Sequence, residues 1–350
     1  MADRESTRSI GLHAHAGSNP APSATDPGAA PTARRIRVAA ITNALAGGSP
    51  ADIVAVLREQ DDVVLDESVT RSADDAEVLA HELAAGGDVD VIVAIGGDGT
   101  AGEVARGMYR AATQSAGARP ALLVAPGGTG NSNYRCLWDD EPWRQVVRDV
   151  FHTGDHLRKQ MDLALITSLG TPVLLGISAG LLPEALTISH TLRSDGREKL
   201  AEAALLALRS YRAYPGRVIV DGELFAETDI LAVLIGGSRY RGGFLELLPR
   251  SVLDDGLLDI CVVSATMSRE DFATSCVNGT LDTAAGSSYR TGKTVRIERT
   301  DGHPLKIDHD GELAADDAVS VEVEILPSAI DVLASPRTRV WSDQRIEAIG

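Results

Sequence analysis

The chain has 350 residues, 44% hydrophobic and 24% charged, which suits one or two globular domains that bury their own core. Its 33 Lys and Arg stand against 50 Asp and Glu, a net charge of −17 that repels a nucleic-acid backbone, and aromatics at 4% leave no stock of platforms for stacked bases. Cys136, Cys261 and Cys276 form neither a disulfide framework nor a CxxC pair, as in a reducing compartment such as the cytoplasm. No apolar run reaches the roughly 18–20 residues of a membrane span.

Residues 1–33 are rich in Ala, Pro, Ser, Gly and Thr, lack the apolar block of a signal peptide, and read as a disordered leader. His13 and His15 on that leader make a poor metal site. From Arg37 the pattern alternates between strand and helix. Arg37–Ile41 reads as a strand, Ala51–Leu57 as a helix, Val63–Leu65 as a short strand and Ala73–Ala85 as a helix. Val89–Ile95 is a near-continuous Val/Ile/Ala strand of the kind buried on both faces of a parallel sheet. A helix from about Ala101 and the strand Ala121–Ala125 complete a series of β-α-β units.

After about His152 the grammar changes. Met161–Ile166, Pro172–Ile177, Arg217–Val220, Ile230–Ile235, Leu257–Val263, Thr294–Ile297 and Val319–Ile325 read as short strands between Gly, Asp and Pro turns. One helix, Lys199–Arg212, interrupts them, with Leu200, Ala204, Leu205 and Leu208 on one face. The domains expected are 34–155 (α/β), 156–325 (β-rich) and a C-terminal return segment and tail, 326–350.

Two glycine loops carry the chemistry. Gly96-Gly97-Asp98-Gly99-Thr100 follows the most strand-like segment, and its glycines let backbone N–H groups come close to an anion. Thr100-Ala101-Gly102-Glu103 has capping-box spacing, which predicts a helix starting at Thr100 with its dipole aimed at the loop, as in a phosphate site. Asp98 beside such phosphates calls for Mg²⁺ or a hydrogen-bond donor. Pro126-Gly127-Gly128-Thr129-Gly130-Asn131 follows the next strand, and Thr129 and Asn131 offer a hydroxyl and an amide to a nucleotide. A right-handed crossover brings both loops to the carboxyl edge of the sheet, where open α/β sheets bind ligands. Either loop alone could be an ordinary turn; the pair is a strong signal. No Walker lysine motif is present.

The GGDGT and PGGTGN loops, with the stretches that follow, resemble the diacylglycerol/sphingosine lipid kinase family, including its soluble bacterial members, from Arg37 to Leu333. The resemblance implies an N-terminal Rossmann-like α/β nucleotide domain and a C-terminal antiparallel β-sandwich domain, a fold shared with NAD kinase, with ATP bound between them. It carries nucleotide contacts onto Asn43 and the loop to Gly47, Thr70, Gly96, Gly97, Asp98, Gly99, Thr100, Ala101, Gly102 and Thr129. Ser251–Asp259 resembles the family's Asp-Asp-Gly turn, which implies Mg²⁺ held by Asp255 and the carbonyls of Val252 and Leu257; an oxygen-only ligand set suits that ion. Ile307–Glu312 resembles the family's Asp-Gly-Glu, which implies Glu312 as the proton acceptor, while His309 reads as a solvated turn histidine. Asn43-Ala44-Leu45-Ala46-Gly47 lacks the family's Pro and Ser, Ser132-Asn133-Tyr134 replaces its Asp-Phe-Ala, and Arg241-Gly242-Gly243 replaces its triple glycine.

Residues 184–217 offer an apolar surface with Leu186, Ile188 and Leu192, and six basic against four acidic side chains. That local reversal in an acidic chain suits peripheral contact with an anionic inner membrane face, and equally a plain amphipathic helix over a sheet. The reading is an Mg²⁺- and ATP-dependent kinase of a lipid acceptor such as diacylglycerol or a sphingoid base. An NAD kinase-like enzyme, a kinase of a soluble alcohol and a non-catalytic nucleotide-binding regulator stay open as alternatives.

Overall fold

The computed structural model describes residues 34–47, 49–114, 117–194, 196–314 and 318–346, so the leader and its two histidines lie outside the described residues. Strand and helix alternate first: β1 (Ile36–Asn43), α1 (Pro50–Arg58), β2 (Val63–Thr70), α2 (Asp75–Gly86), β3 (Val91–Gly96), α3 (Asp98–Gln114) and β4 (Ala121–Pro126). The four strands are parallel in the order β4-β3-β1-β2. Every residue of β3 is buried, as a strand covered on both faces must be. β2 runs five residues beyond Leu65, because Asp66–Thr70 pair with Ala39–Asn43 at the sheet edge, where Asp66, Glu67 and Val69 are exposed. Two short helices not legible in the sequence follow, α4 (Ser132–Trp138) and α5 (Trp143–Arg148), anchored by buried Tyr134, Trp138 and Trp143.

The second half is antiparallel. It comprises β5 (Leu157–Ile166), β6 (Thr171–Val173), β7 (Ile177–Gly180), α6 (Leu181–Ser189), α7 (Gly196–Ser210), β8 (Tyr214–Val220) and β9 (Glu223–Ile235). Then come the small pair β10 (Tyr240–Arg241) and β11 (Leu245–Glu246), β12 (Leu258–Ser264), α8 (Arg269–Asn278), β13 (Ser287–Gly292) and β14 (Thr294–Arg299). β15 (Ile307–His309), β16 (Glu312–Leu313), β17 (Ser320–Ala334) and α9 (Ser342–Ile346) close the chain. The fold is therefore mixed α/β, a parallel sheet followed by a β-rich half. β17 joins them. Its first part pairs with β14 and β5, its register shifts between Leu326 and Ile330, and Asp331 and Val332 then run parallel to Ala121 and Leu122 of β4.

Three expectations are corrected. Pro172–Ile177 is not one strand; it breaks at Leu174–Gly176, where the N–H groups of Leu174 and Leu175 go to the Asp310 carboxylate instead of a ladder. Among the described residues three α-helices, α6, α7 and α8, and not one, interrupt the β-rich half. The face that α7 buries is not the Leu200, Ala204, Leu205 and Leu208 face: its buried residues are Ala203 and Ala207, and Leu205 is 55% exposed.

Candidate active site

The two glycine loops touch backbone to backbone. Gly96 and Pro126 end β3 and β4 in register, and a side chain on Gly128 would begin 2.3 Å from the Gly97 Cα. One on Gly127 would begin 2.7 Å from the Gly96 nitrogen. These glycines are required by close approach alone.

Asp98 clamps the loops together. Its two carboxylate oxygens accept from the N–H groups of Ser132 and Asn133 at 3.1 and 3.0 Å, which caps the start of α4 with a negative charge. Asn131, in the left-handed region at φ 58°, closes its own loop: Oδ1 accepts from the Gly128 N–H and Nδ2 donates to the Gly128 carbonyl. The expected capping box does not form. α3 begins at Asp98, two residues early; Thr100 Oγ1 accepts from Asn43 Nδ2 at 3.0 Å, and Glu103 accepts from the Ala76 N–H. Buried Thr100 and Ala101 thus anchor the first turn of α3 to β1.

Around this centre stand the other predicted nucleotide residues. Asn43 ends β1 opposite Thr70 at the end of β2, and its Oδ1 accepts from the Leu45 N–H. Gly47 faces the Thr129 hydroxyl, 3.8 Å from where its side chain would start. The Thr129 carbonyl accepts from Arg197 Nε of α7 at 3.4 Å.

The Asp-Gly-Glu turn of the β-rich half meets the start of α3. Asp310 (φ 49°) and Gly311 (φ 83°) form the two-residue loop between β15 and β16, with His309 opposite Glu312, as Asp-Gly favours in a tight hairpin. A side chain on Gly99 would begin 3.0 Å from Glu312 Oε1, and one on Gly102 2.4 Å from Asp310 Oδ2. Asp310 is 1% exposed, and burial pushes its carboxyl up to about 6 even though the Leu174 and Leu175 N–H groups and Arg106 favour its charge. Asp308, bonded to the Ser178 hydroxyl, is likewise pushed up to about 6 by burial. His309 is not solvated: it is 8% exposed, its Nδ1 lacks a hydrogen-bond partner, and burial, seconded by Arg106, lowers its pKa.

Sequence reasoning missed two buried arginines here. Arg106 of α3 donates to Glu77 of α2 at 2.9 Å and reaches Asp310 at 3.4 Å. Arg241, from the turn that departs from the family pattern, donates to the carbonyls of Ser238, Tyr240 and Gly236. Burial pulls its pKa down, while Asp308, Asp310 and Asp98 favour its charge. The next residues of that turn pack on the second glycine loop: the Gly243 N–H donates to Ser132 Oγ and the Gly243 carbonyl accepts from Arg135.

The predicted metal turn is built against different elements. The Val252 N–H donates to Asp259, Gly256 N–H to Asp162 of β5, and Ser342 N–H to Asp254; Asp255 Oδ1 accepts from the Leu257 N–H at 3.1 Å. Among the described residues no cluster of three or more His, Cys, Asp or Glu side chains could hold a metal, so a cation here would rest on Asp255 and main-chain oxygens. The donor chemistry fits Mg²⁺, and Asp162, its pKa raised by burial and by nearby Asp254, marks a locally negative setting.

Residues 37–164 match the model of the diacylglycerol kinase catalytic domain, and residues 176–334 match that of the YegS C-terminal NAD kinase beta sandwich-like domain. A "Probable lipid kinase YegS-like" protein of Stenotrophomonas maltophilia is 30% identical over 71% of this chain and 81% of its own. A "Diacylglycerol kinase" of Mycobacterium tuberculosis is 28% identical over 85% of this chain and 94% of its own. A crystal structure of a diacylglycerol kinase from Bacillus anthracis, 20% identical, superposes with a TM-score of 0.63 over 87% of this chain and 98% of that one, a likeness of fold.

Proposed function

The chain belongs to the family of diacylglycerol kinases and YegS-like lipid kinases, and on that footing we propose that it transfers the γ-phosphoryl group of ATP to a hydroxyl of a lipid, diacylglycerol or a sphingoid base being the candidates. The meeting of Glu312 with Gly99 at the start of α3 carries this reading. The N–H groups of the first turn of α3 and of Thr129 and Gly130, the part of the second loop that is not closed on itself, receive the phosphates, and the helix dipole favours their charge. Glu312 accepts the proton of the acceptor hydroxyl as its oxygen bonds to the γ-phosphorus; the bond to the bridging oxygen breaks and ADP leaves. Asp98 acts by keeping the loops together. Mg²⁺ would be held by Asp255 with the carbonyls of Val252 and Leu257, where its charge would offset that of the acidic neighbours.

Peripheral membrane contact belongs to the same proposal. α7 exposes Leu205 and Leu206 and touches the second glycine loop through Arg197. Among the described residues no helix is long and apolar enough to cross a membrane.

The test is ³²P transfer from γ-labelled ATP into mixed micelles of total bacterial lipid, with NAD in a parallel tube. Label in the organic phase, lost in Glu312→Gln while ATP still binds, is the expected result. Label on NAD would overturn the lipid reading, and label in neither tube would point to a soluble alcohol.

A further inference from the structure

α3 carries two features on one face: the glycine loop at its start, and Arg106 two turns further along. Gly99, Gly102, Glu103 and Arg106 recur at the i, i+3, i+4, i+7 spacing that lines one side of a helix. The Asp-Gly-Glu turn lies on that side, against Gly99 and Gly102. On the other flank Gly107 lets the backbone of α2 come within 2.2 Å of where its own side chain would begin, at the Glu77 carbonyl. Arg106 spans the two. Its Nε donates to Glu77 Oε2 at 2.9 Å, and its Nη1 reaches Asp310 Oδ2 at 3.4 Å.

The pairing is nearly dry. Arg106, Glu77 and Asp310 have side chains 8%, 12% and 1% exposed. Arg110 makes a further ion pair with Glu77, so two cations face two carboxylates. A buried guanidinium forked between two carboxylates has one favoured orientation, and removing one partner leaves the others desolvated and unpaired. Glu312 is two residues from Asp310, just past the two-residue Asp310-Gly311 loop. Whatever sets Asp310 against α3 sets Glu312 against the phosphate loop.

We propose that Arg106 is a positioning residue for phosphoryl transfer: with Glu77 behind it, it holds Asp310 against α3 and thereby fixes Glu312 at the γ-phosphoryl position. This rests on the assignment of Glu312 as proton acceptor. With its guanidinium taken up by Glu77 and Asp310, Arg106 acts through the turn, and its effect falls on the chemical step. Misplacing a catalytic group by about 1 Å costs on the order of 100-fold in rate.

The experiment compares Arg106→Gln, Arg106→Lys, Glu77→Gln and Glu312→Gln in full-length protein. The assay is labelled ATP with mixed micelles of total bacterial lipid, and ATP binding is titrated separately. Arg106→Gln is expected to lower kcat roughly 10- to 100-fold while KM for ATP and the ATP-binding stoichiometry stay within about twofold. Arg106→Lys, which keeps a charge for Asp310 but cannot fork to Glu77, should recover part of the loss. Glu77→Gln, which leaves Arg106 facing Asp310, should fall between wild type and Arg106→Gln. Retention of activity in Glu312→Gln would remove the proton-acceptor assignment whatever Arg106 does. With Glu312→Gln inactive, an unchanged kcat in Arg106→Gln overturns the positioning role. So does parallel loss of kcat and ATP binding in Arg106→Gln, Arg106→Lys and Glu77→Gln alike, because that pattern belongs to a residue that only holds the fold.

Discussion

Oδ2 of Asp310 lies 2.4 Å from the point where a side chain on Gly102 would begin, so the Asp-Gly-Glu turn of the β-rich half rests directly on the backbone of α3. Gly102→Ala would push a methyl group into a carboxylate that is itself held by two N–H groups and Arg106 and has nowhere to retreat. The expected cost is about 1–3 kcal/mol of stability, as for other overpacked sites, together with a lower kcat. Gly86→Ala is the control: it meets nothing within 4 Å at the end of α2 and should leave activity unchanged and stability equal or higher. Thermal melts and transfer assays on both variants decide it; a Gly102→Ala enzyme with wild-type kcat would show that the turn can slide along α3.

Asp98 offers a separate handle on the nucleotide side. Its two oxygens serve two N–H groups of α4, and an asparagine has one acceptor oxygen to give, so Asp98→Asn turns an amide donor toward one of them. Leaving that N–H unsatisfied should cost about 1–3 kcal/mol and loosen the Gly127–Gly130 loop. KM for ATP should rise more than kcat falls, the reverse of the split expected for Arg106. An unchanged KM would mean that the second loop holds its shape without the clamp.

What the sequence disclosed follows from the range of the interactions. β3 and β4, the glycine loops and the Asp-Gly hairpin are local patterns, and each could be read in place. The start of α3 could not, because Glu103 gives up its capping bond to the Ala76 N–H, 27 residues away. The break between β6 and β7 is imposed by Asp310, 136 residues downstream of Leu174. Arg106 and Asp310 are 204 residues apart, so their pairing is a product of topology. Two signals were nevertheless present. Gly97, Gly99 and Gly102 keep G-x-G-x-x-G spacing between a buried strand and a helix, and Gly99, Gly102, Glu103 and Arg106 share one helical face. His309 reads as solvated from its turn-like neighbours, yet β15 is paired with β7 on one side and β16 on the other, and the histidine is buried.

The carboxyls of Asp308 and Asp310 give stability an unusual pH slope. Both are raised to about 6 by burial, above the roughly 3.9 of an unfolded aspartate. Between those values the folded chain holds more protons than the unfolded one, so this contribution is complete below about pH 4 and is lost as pH rises through about 6. The two groups also repel each other when both are charged, so their contributions are not additive. Asp308→Asn keeps an acceptor for the Ser178 hydroxyl while removing one titration. Urea unfolding between pH 4.5 and 7 should show a flatter decline in the variant than in the wild type. Identical slopes would remove Asp308 from the account.

α7 turns Ala203 and Ala207 inward and leaves Leu205 55% and Leu206 37% exposed, an arrangement that costs water contact unless something covers it. Arg193, Lys199, Arg209 and Arg212 flank those leucines along the chain, and a basic residue near an anionic bilayer is worth about 1 kcal/mol. The helix also begins at the second glycine loop, where Arg197 donates to the Thr129 carbonyl, so a surface that receives α7 lies beside that loop. Leu205→Asp with Leu206→Asp should therefore reduce co-sedimentation with phosphatidylglycerol vesicles and lower transfer into lipid micelles, while ATP binding and the melting temperature stay as in the wild type. Raising salt should weaken vesicle binding of the unmodified protein through the same basic side chains. Vesicle binding that is indifferent to both leucines would assign that binding to another part of the molecule and leave α7 as a brace on the second glycine loop through Arg197.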